Sequence, residues 1–214
     1  MQDQMDFNNF KTLLKSSLSK DLPGIKSHEK LMPGTRKREL KQNPGKETKK
    51  SAVLFLFYPV NNVPHTVFIK RAVDGGVHSN QISLPGGQFE KSDKTLQNTA
   101  LRESREEINI NPDDVEIAGS LSKVYIPPSN FDMFPFAAIS NTIPEFKANI
   151  EVEAVLQVDV DTLLNPRTFQ YKKIRYRTGE IIEVPCYFIN NEIIWGATAM
   201  VISEFIDIIK KAPF

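Results

Sequence analysis

The spacing of apolar positions changes along the chain, and each change marks an element. Phe7, Phe10, Leu13, Leu14 and Leu18 recur at intervals of three and four, one face of an amphipathic helix that stops near Asp21-Leu22-Pro23-Gly24. Between residues 25 and 50 that pattern dissolves. Pro33-Gly34 and Pro44-Gly45 signal turns, and nine Lys or Arg stand against three Glu, so this stretch reads as a basic, irregular connector. Ser51 to Tyr58 is a continuous apolar run ending before Pro59, as expected of a strand buried on both faces. Thr66 to Arg71, beyond the Asn61-Asn62 turn, reads as its neighbour, and Gln81 to Leu84 as a brief extended segment leading into Pro85-Gly86-Gly87.

Helical spacing returns at Leu96, Ala100, Leu101, Ser104 and Ile108, predicting a helix of about 14 residues with one apolar and one charged face. Strands are expected over 115–124, 133–139 and 152–160, with a single helical turn at 161–164. Phe169 to Tyr176 and Ile181 to Phe188 flank Thr178-Gly179, a hairpin signal, and Ile193 to Trp195 forms a short strand. Ala197 to Lys210 closes the chain as an amphipathic helix. The expected class is α/β, a mixed sheet between helices. Residues 1–50 are read as a helix and connector packing on the core, and residues 51–214 as the main domain.

Composition narrows the function without choosing it. With 40% hydrophobic and 25% charged residues the chain is neither disordered nor membranous, and a net charge of +1 gives no global attraction for nucleic acid. Cys186 is the single cysteine, so an intrachain disulfide and a cysteine-rich zinc site are both excluded. No apolar run approaches the roughly 20 residues that cross a bilayer, and Met1 to Asn9 lacks the basic and apolar segments of a secretory signal. A soluble cytoplasmic protein is expected, without nucleic-acid or membrane partners.

Candidate chemistry sits on the central helix. Successive helical residues rotate by about 100°, which places Glu103, Glu106 and Glu107 on one arc. Like charges at this spacing are locally unfavourable unless something neutralises them, and a hard divalent cation does so while leaving positions for water and phosphate oxygens. Arg102 stands four residues before Glu106, at ion-pair spacing. Upstream, Gly86 and Gly87 allow the backbone to approach a ligand closely. Alone, either feature is an ordinary turn or a solvated face; together they form a specific composite.

Gly87 to Ile110, with Arg102-Glu103-Ser104-Arg105-Glu106-Glu107 at its centre, resembles the box of the Nudix hydrolase superfamily. Asp93 stands where that box has Glu, one additional residue separates it from Arg102, and Asn109 replaces a glycine. Asn tolerates the left-handed conformation a helix end requires. The extra residue, Phe68 to Arg71, His78 to Gly87 and Tyr125 to Phe131 resemble the coenzyme A pyrophosphatase branch, over roughly Arg36 to Leu164. Gly76 and Asn80 depart from it, standing where its signature carries an arginine and a glycine.

The resemblance implies a Nudix-type α/β/α sandwich, a small-molecule diphosphate substrate and Mg²⁺ or Mn²⁺ held by the Gly86 carbonyl, Glu103, Glu106, Glu107 and Glu151. Catalytic roles fall to Glu103, Glu106 and Arg102, and substrate contacts to Arg71, His78, Gln81 and Gly87. Tyr125, Phe131 and Phe134 lie beside strands, where aromatic rings more often join the core; the alternative is that they offer a face to adenine. Coenzyme A is the implied substrate, with ADP-ribose or a dinucleoside polyphosphate as the alternative. A non-catalytic ligand sensor is the third reading, and a homodimer the implied assembly.

Overall fold

The computed structural model describes residues 5–36, 47–73, 75–76, 78–176 and 178–211. Its spine is the apolar run, now β1 (Lys49–Val60), the central strand of an eight-stranded mixed sheet. Strand β1 runs parallel to β7 (Phe131–Ser140) and antiparallel to β2 (Val63–Arg71), the latter through a tight turn at Asn61 and Asn62. Both turn residues take positive φ, 51° and 65°, which asparagine tolerates better than most side chains.

The alternation of a strand explains why this run is apolar throughout. Val53, Phe55 and Phe57 enter one core with Phe10 and Phe205, while Ala52, Leu54, Leu56 and Tyr58 enter a second with Ala100 and Ile108. Helix α1 (Phe7–Leu18) covers the first face. Its Phe10 ring lies 5.0 Å from that of Phe57, and Asp6 caps its N-terminus by accepting from the Asn8 and Asn9 amides.

Residues 25–36 depart from the expected irregular connector. Helix α2 (Ile25–His28) and a 3₁₀ turn at Glu29–Leu31 pack on the C-terminal helix, burying Ser27, His28 and Leu31. The contacts explain the order. Glu204, fully buried, accepts from the Gly24 amide at 3.0 Å and the Ser122 amide at 2.9 Å, with His28 Nε2 at 3.2 Å. Burial alone would raise the Glu204 pKa, but His28 and Ser122 together hold it below the ordinary value. The rest of the basic stretch, 37–46 with Pro44-Gly45, lies outside the described residues.

Two strands share one edge of β1. Strand β3 (Ile82–Ser83) continues from β2, and β4 (Gly86–Gln88) pairs with Ser51, Ala52 and Val53 at the start of β1, whereas β2 pairs with its end. Helix α3 (Leu96–Ile108) packs over β1 and β4 on the second face, opposite α1. The strand expected over 115–124 is broken into β5 (Val115–Ser120) and β6 (Val124–Ile126), each pairing with a different half of β7. The break lies at Leu121, whose amide still donates to Pro135 while its side chain is buried in the α1-side core.

Strand β8 (Val152–Asp159) extends the sheet beside β2 and leads through α4 (Val160–Leu164) to a second, three-stranded sheet. This comprises β9 (Phe169–Arg175), β10 (Ile181–Ile189) and β11 (Glu192–Trp195), followed by α5 (Gly196–Lys211) on the α1 side. Lys70 ties the sheets together, its ammonium lying 3.1 Å from Glu153 and 3.3 Å from Glu192. Helices therefore cover both faces of a mixed sheet, as the α/β reading expected. No helix of the described residues is long and apolar enough to cross a membrane.

Candidate active site

The split edge of β1 places the glycine pair directly beneath α3. Gly86, at φ 149°, has no room for a side chain: a Cβ there would lie 2.2 Å from the Ala52 carbonyl oxygen. Gly87 is bare for a different reason. A Cβ there would lie 2.4 Å from the Glu103 carboxyl carbon, so the space opposite this glycine belongs to a carboxylate.

Glu107, one helical turn further, is 2% exposed, and its Oε2 accepts from the Gly86 amide at 2.8 Å. Arg71, at the end of β2, reaches its other oxygen at 3.3 Å. Burial pushes the Glu107 pKa up to about 7, against the pull of the Gly86 amide and Arg71. Burial also raises Glu103, against the neighbouring Arg102. Glu151 adds negative potential to both. It is brought near because the preceding loop terminates α3: the Lys147 and Asn149 amides donate to the Ile108 and Glu107 carbonyls. Asn109 closes the same helix end in the left-handed conformation, φ 64°, and its side-chain amide donates to the Glu145 carbonyl.

Arg102 organises the remaining charge. Its Nε donates to Asp93 at 2.7 Å, its Nη2 to the Gln88 carbonyl at 3.1 Å, and its ion pairs reach Glu103 at 2.9 Å and Glu106 at 3.1 Å. Asp93 is buried and also accepts from Thr99 Oγ1 and the Glu90 amide, both at 2.9 Å. The Arg102 hydrogen bond leads in holding the Asp93 carboxyl down at about 2. Sequence reasoning gave Asp93 no role beyond its place in the box. Its signal was the Arg102 spacing across a loop, which helical periodicity does not score.

Among the described residues no group of three His, Cys, Asp or Glu side chains forms a ready-made metal cage. Arg102 pairs with Glu106, whose side chain is 54% exposed, and Arg71 pairs with one oxygen of Glu107. The donor set nevertheless fits a hard divalent cation. It consists of carboxylates, two of them raised in pKa by burial, one of which lies against the backbone where Gly87 lacks a Cβ.

Beside the carboxylates lies a cavity of about 390 Å³. Arg71, His78, Gln81, Gly86 and Gly87 line it, bringing together five of the residues expected at the site. The His78 ring nitrogens stand 3.3 Å from Gln81 Oε1 and 3.2 Å from Ser129 Oγ, which fixes the ring at the wall. Of the three aromatic candidates only Phe131 lines the cavity. Tyr125 instead donates its hydroxyl to Asn130, and Phe134 packs on the α3-side core, as aromatics beside strands usually do. Tyr176 and Trp195, which the sequence reading missed, do line it.

A model of the NUDIX domain matches residues 49–177, which contain β1, the glycine pair and all of α3. The chain belongs to the NUDIX domain family. A relative from Pectobacterium atrosepticum, named an uncharacterized Nudix hydrolase NudL, is 28% identical over 151 residues, covering 66% of this chain and 73% of the relative. One of the same name from Salmonella paratyphi B is 29% identical over 142 residues, covering 66% and 73%. A MutT/nudix family protein from Enterococcus faecalis superposes with a TM-score of 0.52 at 14% identity, over 86% of this chain and 72% of that one. The MutT protein from Methanosarcina mazei Go1 gives 0.50 at 15%, over 79% and 99%. Both likenesses show a shared Nudix fold. Within it, the box of this chain is the β4–α3 unit, with Asp93 and Arg102 locking the loop to the helix.

Proposed function

We propose that this Nudix protein is a divalent-metal-dependent hydrolase that cuts the diphosphate linkage of coenzyme A or a related nucleoside diphosphate derivative. One observation carries this: the buried carboxylate of Glu107 and the partly buried one of Glu103 face a bare glycine backbone at the edge of a cavity whose wall holds arginines and no acidic residue among those described. Such a boundary suits a polyanion bridged to carboxylates by a cation. Gly86, Glu103, Glu106, Glu107 and Glu151 would hold Mg²⁺ or Mn²⁺, which when bound offsets phosphate charge and makes water more acidic.

The chain's own groups supply the rest. Arg71 and His78 line the cavity where phosphate oxygens would lie, and guanidinium geometry matches them. Glu103, partly buried and raised in pKa, would act as metal ligand, as the base that takes the proton of the attacking water, or as both. Arg102, anchored by Asp93, holds Glu103 and Glu106 in orientation. Attack on phosphorus breaks one bond to the bridging oxygen and leaves two phosphate monoesters.

Gly76 favours keeping a second substrate open. It stands in the cavity wall at a position where the coenzyme A-type signature carries an arginine. Purified protein with Mg²⁺ should release 3′,5′-ADP and phosphopantetheine from coenzyme A faster than it cleaves ADP-ribose or dinucleoside polyphosphates. A preference for ADP-ribose by orders of magnitude transfers the assignment to that substrate, and turnover of none of the panel removes the hydrolase reading.

A further inference from the structure

The match to the family ends at residue 177, but the cavity beside the carboxylates does not. Trp195 and Ala197 build part of its wall, and Arg175 and Tyr176 bring the end of β9 to the same space. The Tyr176 and Trp195 rings meet edge to face, with centroids 6.2 Å apart and planes at 70°. Trp195 is only partly buried although its neighbour Ile194 is 1% exposed. Large rings left partly exposed on a cavity wall offer a surface that a planar group can cover.

This wall is held in register with the chemistry. Strand β11 pairs Trp195 with Cys186 of β10, and its first residue, Glu192, binds Lys70. Lys70 immediately precedes Arg71, so consecutive residues of β2 fasten the C-terminal sheet and reach Glu107. Charge selects further: Arg71 and Arg175 line the cavity, and no Asp or Glu does among the described residues. Its size falls near the low end of the roughly 300–1,000 Å³ of small-molecule sites, room for one half of a dinucleotide.

We propose that Trp195 and Tyr176 are specificity-determining residues that stack against the base of the substrate's nucleoside half, with Arg175 beside them for an anionic group on that half. The assignment rests on the diphosphate-hydrolase reading and deepens it, placing substrate preference in a sheet that the family match largely leaves out.

Trp195 is the only tryptophan, so its emission reports this wall alone. Titrating the intact protein with ADP, ADP-ribose and coenzyme A should change that emission saturably, whereas inorganic diphosphate should leave it unchanged. Trp195→Ala or Tyr176→Ala should raise KM for the preferred nucleotide about tenfold with kcat within about twofold, and Trp195→Phe should restore most of the loss. Emission blind to all three nucleotides at concentrations that saturate turnover, an equal response to inorganic diphosphate, or an unaltered KM in both alanine variants would overturn the proposal. A nucleotide response without hydrolysis leaves the wall standing and removes the hydrolase; hydrolysis with silent emission does the reverse. The emission test uses the unmodified chain, so it holds even if the Trp195 variants fold poorly.

Discussion

Glu107 and Asp93 are both buried carboxylates on the β4–α3 unit, yet their surroundings push them in opposite directions. Glu107 is raised from 4.5 to about 7, so it contributes stability below pH 4.5 that is lost as pH rises through about 7. Glu107→Gln removes that dependence while a side-chain carbonyl can still accept from Gly86. Metal-free denaturation curves should therefore fall less steeply across this window in the variant than in the wild type. Metal-dependent turnover should drop at least about 100-fold, by analogy with removal of a principal electrostatic stabiliser. Asp93, held at about 2 against an ordinary 3.8, contributes stability above pH 3.8 that disappears as pH falls through 2. Asp93→Asn weakens the bonds that fix Arg102, costing about 2 kcal/mol in chemical denaturation at pH 7, an effect that should shrink toward pH 2.

At the scale of elements, α1 forms part of the core. Phe10 is fully buried among Phe57 and Phe205, at 5.0 Å and 6.3 Å between ring centres. Phe10→Ala should cost about 3–5 kcal/mol in urea unfolding, as deletion of a buried ring does, and a cost below about 1 kcal/mol would mean that the helix is loosely attached. Helix α1 was legible because Phe7, Phe10 and Leu14 repeat with helical period. Helix α2 was hidden in a stretch rich in lysine and turn residues, since its order comes from Glu204 and Asp207 on a helix some 180 residues later. The division of the strand expected over 115–124 escaped for a related reason: Val115 to Val124 remains apolar enough for one strand, but partner β7 accepts it in two separate registers.

Across the whole molecule, contacts encoded within one stretch of chain were legible, and the part of the cavity built by the C-terminal sheet was not. Gly86, Gly87, Glu103 and Glu107 lie within one strand–loop–helix unit, so their spacing already pointed to their meeting. The cavity also draws Thr35, Tyr176 and Trp195 from three separate segments, which no periodicity relates to the glycine pair or the helix. Both parts meet along β2, where Lys70 secures the C-terminal sheet and Arg71 faces the carboxylates. The central claim is that those carboxylates, opposite the glycine pair, grip a cation. Isothermal titration calorimetry of Mg²⁺ and Mn²⁺ into the metal-free protein tests it most directly. The account predicts saturable binding, strengthened by a non-hydrolysable diphosphate ligand and abolished in Glu103→Gln/Glu107→Gln; no uptake by the wild type with either ion, or equal uptake by the double variant, would contradict it.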